Sequence, residues 1–254
     1  MPGRVLFHMD EGFRRHLIEN HQFYVGEARK RLLSQFDDIS ADADAFAESF
    51  ATERSQKFDP EIDNPNDIDE QAWEESITHY GMLEDLHADV RLAIIAGMYH
   101  AWDKELRHWI SIQIGHWHSG SNARAEIWKA TFSKLTEFLG GIGWDVAALP
   151  CHRALDRCRL VVNVYKHGEG FACDTLKNEH PDLIGGGLLG AIPDSQLAKR
   201  LVGYRHLQVK DDHVDEFSNA IIGFWTALPA QVMQEDIREF PAWFDRAARR
   251  DKEG

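Results

Sequence analysis

Cysteine and long apolar runs are both scarce in this chain. The 254 residues include three cysteines, Cys151, Cys158 and Cys173, and this odd number does not fit a secreted disulfide scaffold. No run approaches the roughly 18 apolar residues of a membrane-spanning helix. The opening residues MPGRVLFHMDEGFRRH also lack the continuous apolar segment of a signal peptide. We therefore expect a soluble, cytoplasmic protein with no membrane partner.

Basic residues are also in deficit. The chain has 28 Lys and Arg against 42 Asp and Glu, a formal net charge of −14, whereas proteins that coat nucleic acid carry a basic surplus. The deficit is local, because residues 37–75 hold 14 acidic and two basic residues, a net of −12 that leaves −2 elsewhere. The charge thus argues against general nucleic-acid coating but permits a local RNA site outside this segment.

The acidic segment 37–75 also contains Pro60, Pro65 and the turn-forming run DNPND. These residues predict that the segment is partly loop-like. It is either a solvated loop or an arm that competes with an anionic ligand for a basic site on the protein. The sequence does not choose between the two.

Helical periodicity dominates the rest of the chain. Apolar stripes predict helices at about 9–36, 76–112, 123–139 and 150–167, a helix capped by Asp211 or Asp212, and a short last helix. Residues 171–208 show no clear period, and LQVK at 207–210 is the best strand signal. We expect one mainly helical, all-α domain over 1–254, a helical bundle with a long central helix pair and irregular loop insertions.

The standard local catalytic motifs are missing. The sequence has no HExxH, no phosphate-binding loop ending in Gly-Lys-Ser/Thr, no paired CxxC and no GxSxG. The glycines at 185–187 and 190 are interpreted as a flexible loop, because no strand precedes them and no lysine follows.

Histidine is abundant, and the 14 histidines suggest two metal hypotheses. The pairs Glu84/His87 and Glu105/His108 resemble local di-iron ligand pairs. They lie 21 residues apart, about 30 Å on one helix, so they could share a site only if the helix broke near Gly97. Gly97 marks either such a break or a close helix contact.

A second metal hypothesis rests on His100, His116 and His118, which could supply imidazoles to zinc. No further ligand lies at a recognisable spacing. A metal-dependent helical enzyme therefore stays an alternative, without an assigned metal ligand set.

One helix, predicted at 150–167, carries an unusual polar stripe. At about 100° per residue, five of its polar side chains fall within an arc of roughly 80°, with Lys166 just beyond it. These five are His152, Asp156, Arg159, Asn163 and His167. Apolar residues fill most of the remaining circumference, so the helix should be largely surrounded by protein. The stripe is either an internal hydrogen-bonded network or an anion site that combines a phosphate-binding Arg with a proton-transferring His.

The run RLVVNVYKHGEG, which begins at Arg159, resembles the motif region of the HEPN superfamily, whose helical domains include many bacterial toxin and defence ribonucleases. The upstream run WDKELRHW resembles the helix that packs beside that region in bacterial relatives. The resemblance covers residues 76–228 in outline, and its quotable motif is 156–170. The family places four to six residues between its Arg and His, whereas seven separate Arg159 from His167 here.

The resemblance implies a cofactor-free, metal-independent endoribonuclease that acts as a homodimer and cleaves RNA by transesterification, with an antitoxin or defence protein as partner. In this scheme His167 would move protons, and Arg159 would bind the scissile phosphate. Asn163 would orient the imidazole or the phosphate, and Lys166 would add positive potential. Two further residues of the stripe are expected to bind substrate: His152 and Asp156. The alternative is a non-catalytic helical protein that uses the same stripe for dimerisation or partner binding.

Overall fold

The chain folds into helices packed around one long helix. The computed structural model describes residues 4–184 and 203–253. The helices are α1 (Glu11–Arg31), α2 (Ile39–Ser55), α3 (Pro65–Gly115), α4 (Asn122–Lys129), α5 (Phe132–Gly141), α6 (His152–His167), α7 (Phe171–Glu179), α8 (Asp211–Ala227) and α9 (Ala242–Glu253). A small antiparallel sheet joins β1 (Val5–His8) to β2 (Gln231–Met233). The predicted all-α fold class is confirmed.

The long helix α3 runs through the centre of the fold. The side chain of Asn64 caps it by accepting a hydrogen bond from the Asn66 amide at 3.2 Å, and Pro65 occupies the first turn, where its missing N–H removes no helical bond. No proline follows until Pro150, so the helix continues for 51 residues, about 75 Å. Gly97 marks a close contact rather than a break, because a Cβ built there would lie 2.1 Å from the Tyr24 hydroxyl on α1.

The hydrophobic core surrounds the second half of α3. Helices α1, α6 and α8 pack against this half. Residues on α3 that are inaccessible to solvent include Ile95, Met98, Leu106, Ile110 and Ile114. The facing helices α6 and α8 supply equally buried side chains: Leu155, Cys158, Val161, Phe217, Ile221 and Phe224. Each such side chain contributes about 1.5–3 kcal/mol of hydrophobic stabilisation, so this region holds the fold together.

The acidic segment is mostly helical. The predicted loop is confined to residues 56–64, between α2 and α3. The two helices run antiparallel, as shown by stacked ring pairs between Phe36 and His87 (centroids 4.6 Å apart) and between Phe46 and His79 (4.2 Å). Acidic side chains cover the outside of this α2–α3 hairpin, while Ile39, Ala43, Ile68 and Ala72 are buried in it.

Several predicted boundaries differ from the structure. The predicted helix at 123–139 is two helices, because Thr131 caps α5 by accepting from the Lys134 amide and Ala130 is extended. Lys210 precedes α8, so Asp211 is the first residue of that helix rather than its cap. The strand signal at 207–210 is reduced to one bridge between Ile184 and Leu207. The glycines at 185–187 and 190 lie outside the described residues.

Candidate functional site on helix α6

Helix α6 is amphipathic in the way the sequence predicts. Leu155, Cys158, Leu160, Val161, Val162 and Val164 are buried in the core. The polar stripe on the opposite arc is half-buried at His152, Asp156, Arg159 and Asn163, and exposed at Lys166 and His167. The helix ends at Gly168, whose φ of +72° suits a residue without a side chain. The stripe is therefore a surface feature that emerges from the core toward its C-terminal end.

Arg159 is paired with a neighbour on its own helix. Its Nε donates to Oδ1 of Asp156 at 2.7 Å, and the two side chains are 23% and 37% exposed. The remaining guanidinium N–H groups have no protein acceptor among the described residues. An Arg that keeps unused donors at a partly open position can still bind a phosphate oxygen.

The stripe faces polar residues of α3. Burial raises the pKa of the Tyr99 phenol, and the negative charge of Asp103 raises it further. The positive charge of Arg159 on α6 is close enough to lower that pKa. For His100, burial lowers the pKa of the imidazole, and the positive charge of Lys166 lowers it further. The charge of Lys166 therefore acts on the exposed imidazole of His100, which lies on the half of α3 that packs against α6.

The C-terminal end of α6 gathers exposed aromatic and basic side chains. Tyr165, Phe171 and Tyr204 are 44%, 80% and 43% exposed. Tyr204 is held there because its amide donates to Oε1 of Glu169 at 2.9 Å. Phe171 and Tyr204 thus provide stacking surfaces for unpaired bases at the helix end that carries Lys166 and His167. Tyr165 lies about 160° around the helix from His167 and faces another direction.

A cation and a close backbone contact complete this end of the helix. The Nε of Arg205 donates to the hydroxyl of Tyr204 at 3.3 Å. A Cβ built at Gly168 would lie 3.6 Å from the Tyr204 ring, so the ring packs against the chain just beyond His167. The exposed groups therefore lie around one helix end instead of being scattered over the surface.

The six predicted site residues do not converge on one point. His152 begins α6 and stacks on Phe132, with ring centroids 6.1 Å apart, whereas His167 ends the helix. Their Cα positions are separated by about 22 Å along the axis. The structure brings together Asn163, Lys166 and His167, and separately Asp156 and Arg159. His152 belongs to the far end of the stripe.

The structure does not bring the ligands of either metal hypothesis together. Over residues 4–184 and 203–253, no three His, Cys, Asp or Glu side chains gather as a metal site would require. Because α3 is continuous, Glu84/His87 and Glu105/His108 stay about 30 Å apart. His118 hydrogen-bonds Oδ2 of Asp251 at 2.8 Å, and His100 lies beside α6.

Sequence reasoning missed His100 and the aromatic groups around the end of α6. The sequence suggests His100 only as a metal ligand. The residues around it do not show that the charge of Lys166 acts on its imidazole. Phe171 could have been suspected, since it is a large apolar residue directly after the GEG turn. Tyr204 lies far along the chain and reaches the site only through tertiary contact with Glu169.

Comparisons with protein-family models, with curated proteins and with solved structures returned no match to this chain. The HEPN resemblance therefore stays a prediction carried by the residues of α6. In the part of the chain that the structure describes, no helix combines the length and apolarity needed to cross a membrane.

Proposed function

We propose that this protein is a metal-independent endoribonuclease of the toxin or phage-defence type, which cleaves RNA by transesterification at the C-terminal end of α6. The observation that carries the proposal is the exposure of Lys166 and His167 beside Asn163, whose side chain has no hydrogen-bond partner among the described residues. A purely structural polar network would satisfy and seal these groups. Exposed rings at the same helix end add stacking surfaces for RNA bases.

The chemistry assigns one proton transfer to His167. Its imidazole takes the proton of a ribose 2′-hydroxyl, and the 2′ oxygen then attacks the adjacent phosphorus. The bond to the 5′ oxygen breaks, and that oxygen leaves with a proton from an imidazolium. The products are a 2′,3′-cyclic phosphate and a 5′-hydroxyl. Lys166, one residue away, offsets the negative charge that develops on the phosphate.

Arg159 holds RNA at a different point from His167. Eight residues of helix separate the two, about 12 Å along the axis, and the Arg159 side chain is directed toward Asp156, one turn toward the N-terminus. The seven-residue spacing therefore suits an Arg that binds a phosphate neighbouring the scissile one. Asn163, between them, is placed to orient either the imidazole or the phosphate.

A second copy of the chain completes the proposed site. Two α6 faces across a two-fold axis would supply a second imidazole, which serves as the proton donor for the leaving oxygen. Such an enzyme would act in the cytoplasm, where RNA is available, and would need an antitoxin or defence partner to restrain it.

The test is cleavage of single-stranded RNA in the presence of a chelator. We expect wild-type protein to cleave and His167→Ala to lose at least about a hundredfold in rate, the usual contribution of general acid–base catalysis. His116→Ala is the matched control, because His116 is also exposed but lies beyond the far end of α3. Product ends should be cyclic phosphate and 5′-hydroxyl. Undiminished cleavage by His167→Ala would rule out the role given to His167.

One observation favours the second candidate function, a non-catalytic helical interaction protein. The charge of Arg159 is already balanced by Asp156 of the same helix, which leaves less positive charge for a phosphate than an unpaired Arg would offer. This function predicts no RNA cleavage by the wild type and a dimer that Arg159→Ala dissociates, measured by light scattering. The nuclease predicts cleavage, so the two candidates separate on the wild-type protein.

A further inference from the structure

A cavity of about 230 Å³ lies between α1, α3 and α8, away from the α6 stripe. Ala101 and Glu105 at its rim lie roughly 100° or more around α3 from His100, the residue on which the charge of Lys166 acts. Its walls combine aliphatic side chains with four aromatic ones: Phe13, Tyr24, Trp102 and Trp225. A cavity of about 150 Å³ suffices for a benzene ring, so this one has room for a ring with a short chain.

The charge of the cavity is negative. Glu105 is exposed at the rim and has no ion-pair or hydrogen-bond partner among the described residues. No Lys or Arg lines the cavity. At the rim, Nδ2 of Asn20 donates to Nε2 of His16 at 2.9 Å. Deeper inside, His21 bonds the Ser218 hydroxyl at 2.9 Å, and burial lowers the pKa of His21, which favours its neutral form. The lining therefore favours a cationic ligand group at Glu105.

We propose that this cavity binds a small aromatic amine. The ring lies among the aromatic side chains, and the ammonium group pairs with Glu105. Aromatic walls also favour a cation near their faces. The site is separate from the proposed nuclease site, and neither requires the other.

The test compares two probes by isothermal titration calorimetry. Tyramine carries a ring and an ammonium group, and 4-ethylphenol has the same ring but lacks the ammonium. We expect tyramine to bind about three- to tenfold more tightly than 4-ethylphenol. Glu105→Gln should weaken tyramine by the same factor that separates it from 4-ethylphenol, and should leave 4-ethylphenol unchanged.

Two variants control the experiment. Glu19→Gln removes an exposed carboxylate of α1 that does not line the cavity, so it should bind both probes like the wild type. Ala101→Leu enlarges an exposed rim residue and should weaken both probes while leaving the folded stability unchanged. Absence of tyramine binding at millimolar concentration overturns the proposal. Equal tyramine affinity of wild type and Glu105→Gln, or equal wild-type affinity for tyramine and 4-ethylphenol, overturns the contact with Glu105 and with it the proposal.

Discussion

Gly97 shows that a sequence can mark a residue as unusual without revealing which contact requires it. Gly97 sits in the middle of a strong helical pattern, where glycine is unfavourable, so the sequence marks it as special. The reason lies 73 residues earlier in the chain, where the Tyr24 hydroxyl also donates to the carbonyl of Ile94 at 3.4 Å. Only the packing of α1 on α3 reveals that the space above Gly97 is occupied.

Replacing Gly97 with alanine should reverse the usual helix-propensity effect. A Cβ at 97 would lie 2.1 Å from the Tyr24 hydroxyl and 3.0 Å from its ring carbon Cζ. We expect Gly97→Ala to lower the free energy of unfolding by about 1–3 kcal/mol, the usual cost of overpacking. In a Tyr24→Ala background the same change should raise it by up to about 1 kcal/mol, because only the backbone effect remains. Urea denaturation of the four proteins measures both effects. An identical effect in both backgrounds would contradict the steric explanation.

Most of α6 could be predicted from its angular pattern, since a helix with one apolar arc fixes where its polar residues lie. Tyr165 departs from the pattern, because it lies opposite the stripe and is nevertheless 44% exposed. Leu155, Cys158 and Val161 are buried and Lys166 is exposed, as the angular arithmetic requires. The partners of the stripe could not be predicted in this way. Which residues of α3 face α6 depends on how the two helices cross, and one sequence does not specify that angle.

At the scale of elements, two buried arginines hold helix ends in place. Nη1 of Arg14 donates to the carbonyls of Trp225 and Leu228, at 2.7 and 2.6 Å, at the end of α8. Nη1 of Arg107 donates to Ile127 and Ala130, at 2.6 and 2.8 Å, at the end of α4. The last carbonyls of a helix lack partners within it, and a cation there also complements the helix dipole. These arginines therefore act as caps supplied by other helices.

Removing the Arg107 cap should destabilise the fold strongly. Arg107 also pairs with the partly buried carboxylate of Asp103 at 2.7 Å, so Arg107→Ala leaves both that charge and the α4 carbonyls without a partner. We expect a loss of about 3–5 kcal/mol in the free energy of unfolding. Arg250→Ala is the control, because Arg250 reaches Glu126 of α4 from an exposed position at 3.6 Å, and it should cost under about 1 kcal/mol. Comparable losses in the two variants, measured by urea denaturation, would refute the capping role.

Helices with clear caps and one apolar stripe were predictable as elements, and their exact ends were not. The predicted helix at 76–112 is contained in α3, but the helix begins at Pro65, within an acidic region whose polarity suggests a loop. Those acidic turns are helical because Ile68 and Ala72 bury against α2. Similarly, the pattern at 123–139 continues through residue 130, and the break comes from the cap at Thr131 and the contact of Arg107 with the Ala130 carbonyl.

At the scale of the whole molecule, the acidic segment of the sequence and the hydrophobic core occupy different regions of the fold. The segment with a net charge of −12 forms the α2–α3 hairpin and the turn before it, whereas the buried core lies around the second half of α3. The hairpin also exposes Trp73, Ile77 and Tyr80 along one face of α3 at i, i+4 and i+7 spacing. Composition revealed the charge asymmetry, but only the fold shows that most of the acidic segment forms ordered helix.

Several histidines are buried deeply enough to link the stability of the whole molecule to pH. Burial is the largest cause of the lowered pKa of His21, His87 and His180, and all three side chains are almost inaccessible. In the unfolded chain these groups take up protons near the ordinary value of about 6.5. The unfolded state therefore binds more protons than the folded state once the pH falls below that value, which favours unfolding.

The expected result is a free energy of unfolding that is fully retained above about pH 6.5 and falls as the pH decreases from 6.5 toward 5, before most carboxylates titrate. The slope is about 1.4 kcal/mol per pH unit for each proton taken up on unfolding. Urea denaturation at constant ionic strength across this pH range measures the slope.

His21→Gln removes one buried titrating group but can keep the hydrogen bond to Ser218, so its slope should be smaller than that of the wild type. Gln22→Ala, an exposed neighbour on α1 that does not titrate, should keep the full slope. If His21→Gln and the wild type share one slope, the unfolded-state proton uptake assigned to His21 is wrong.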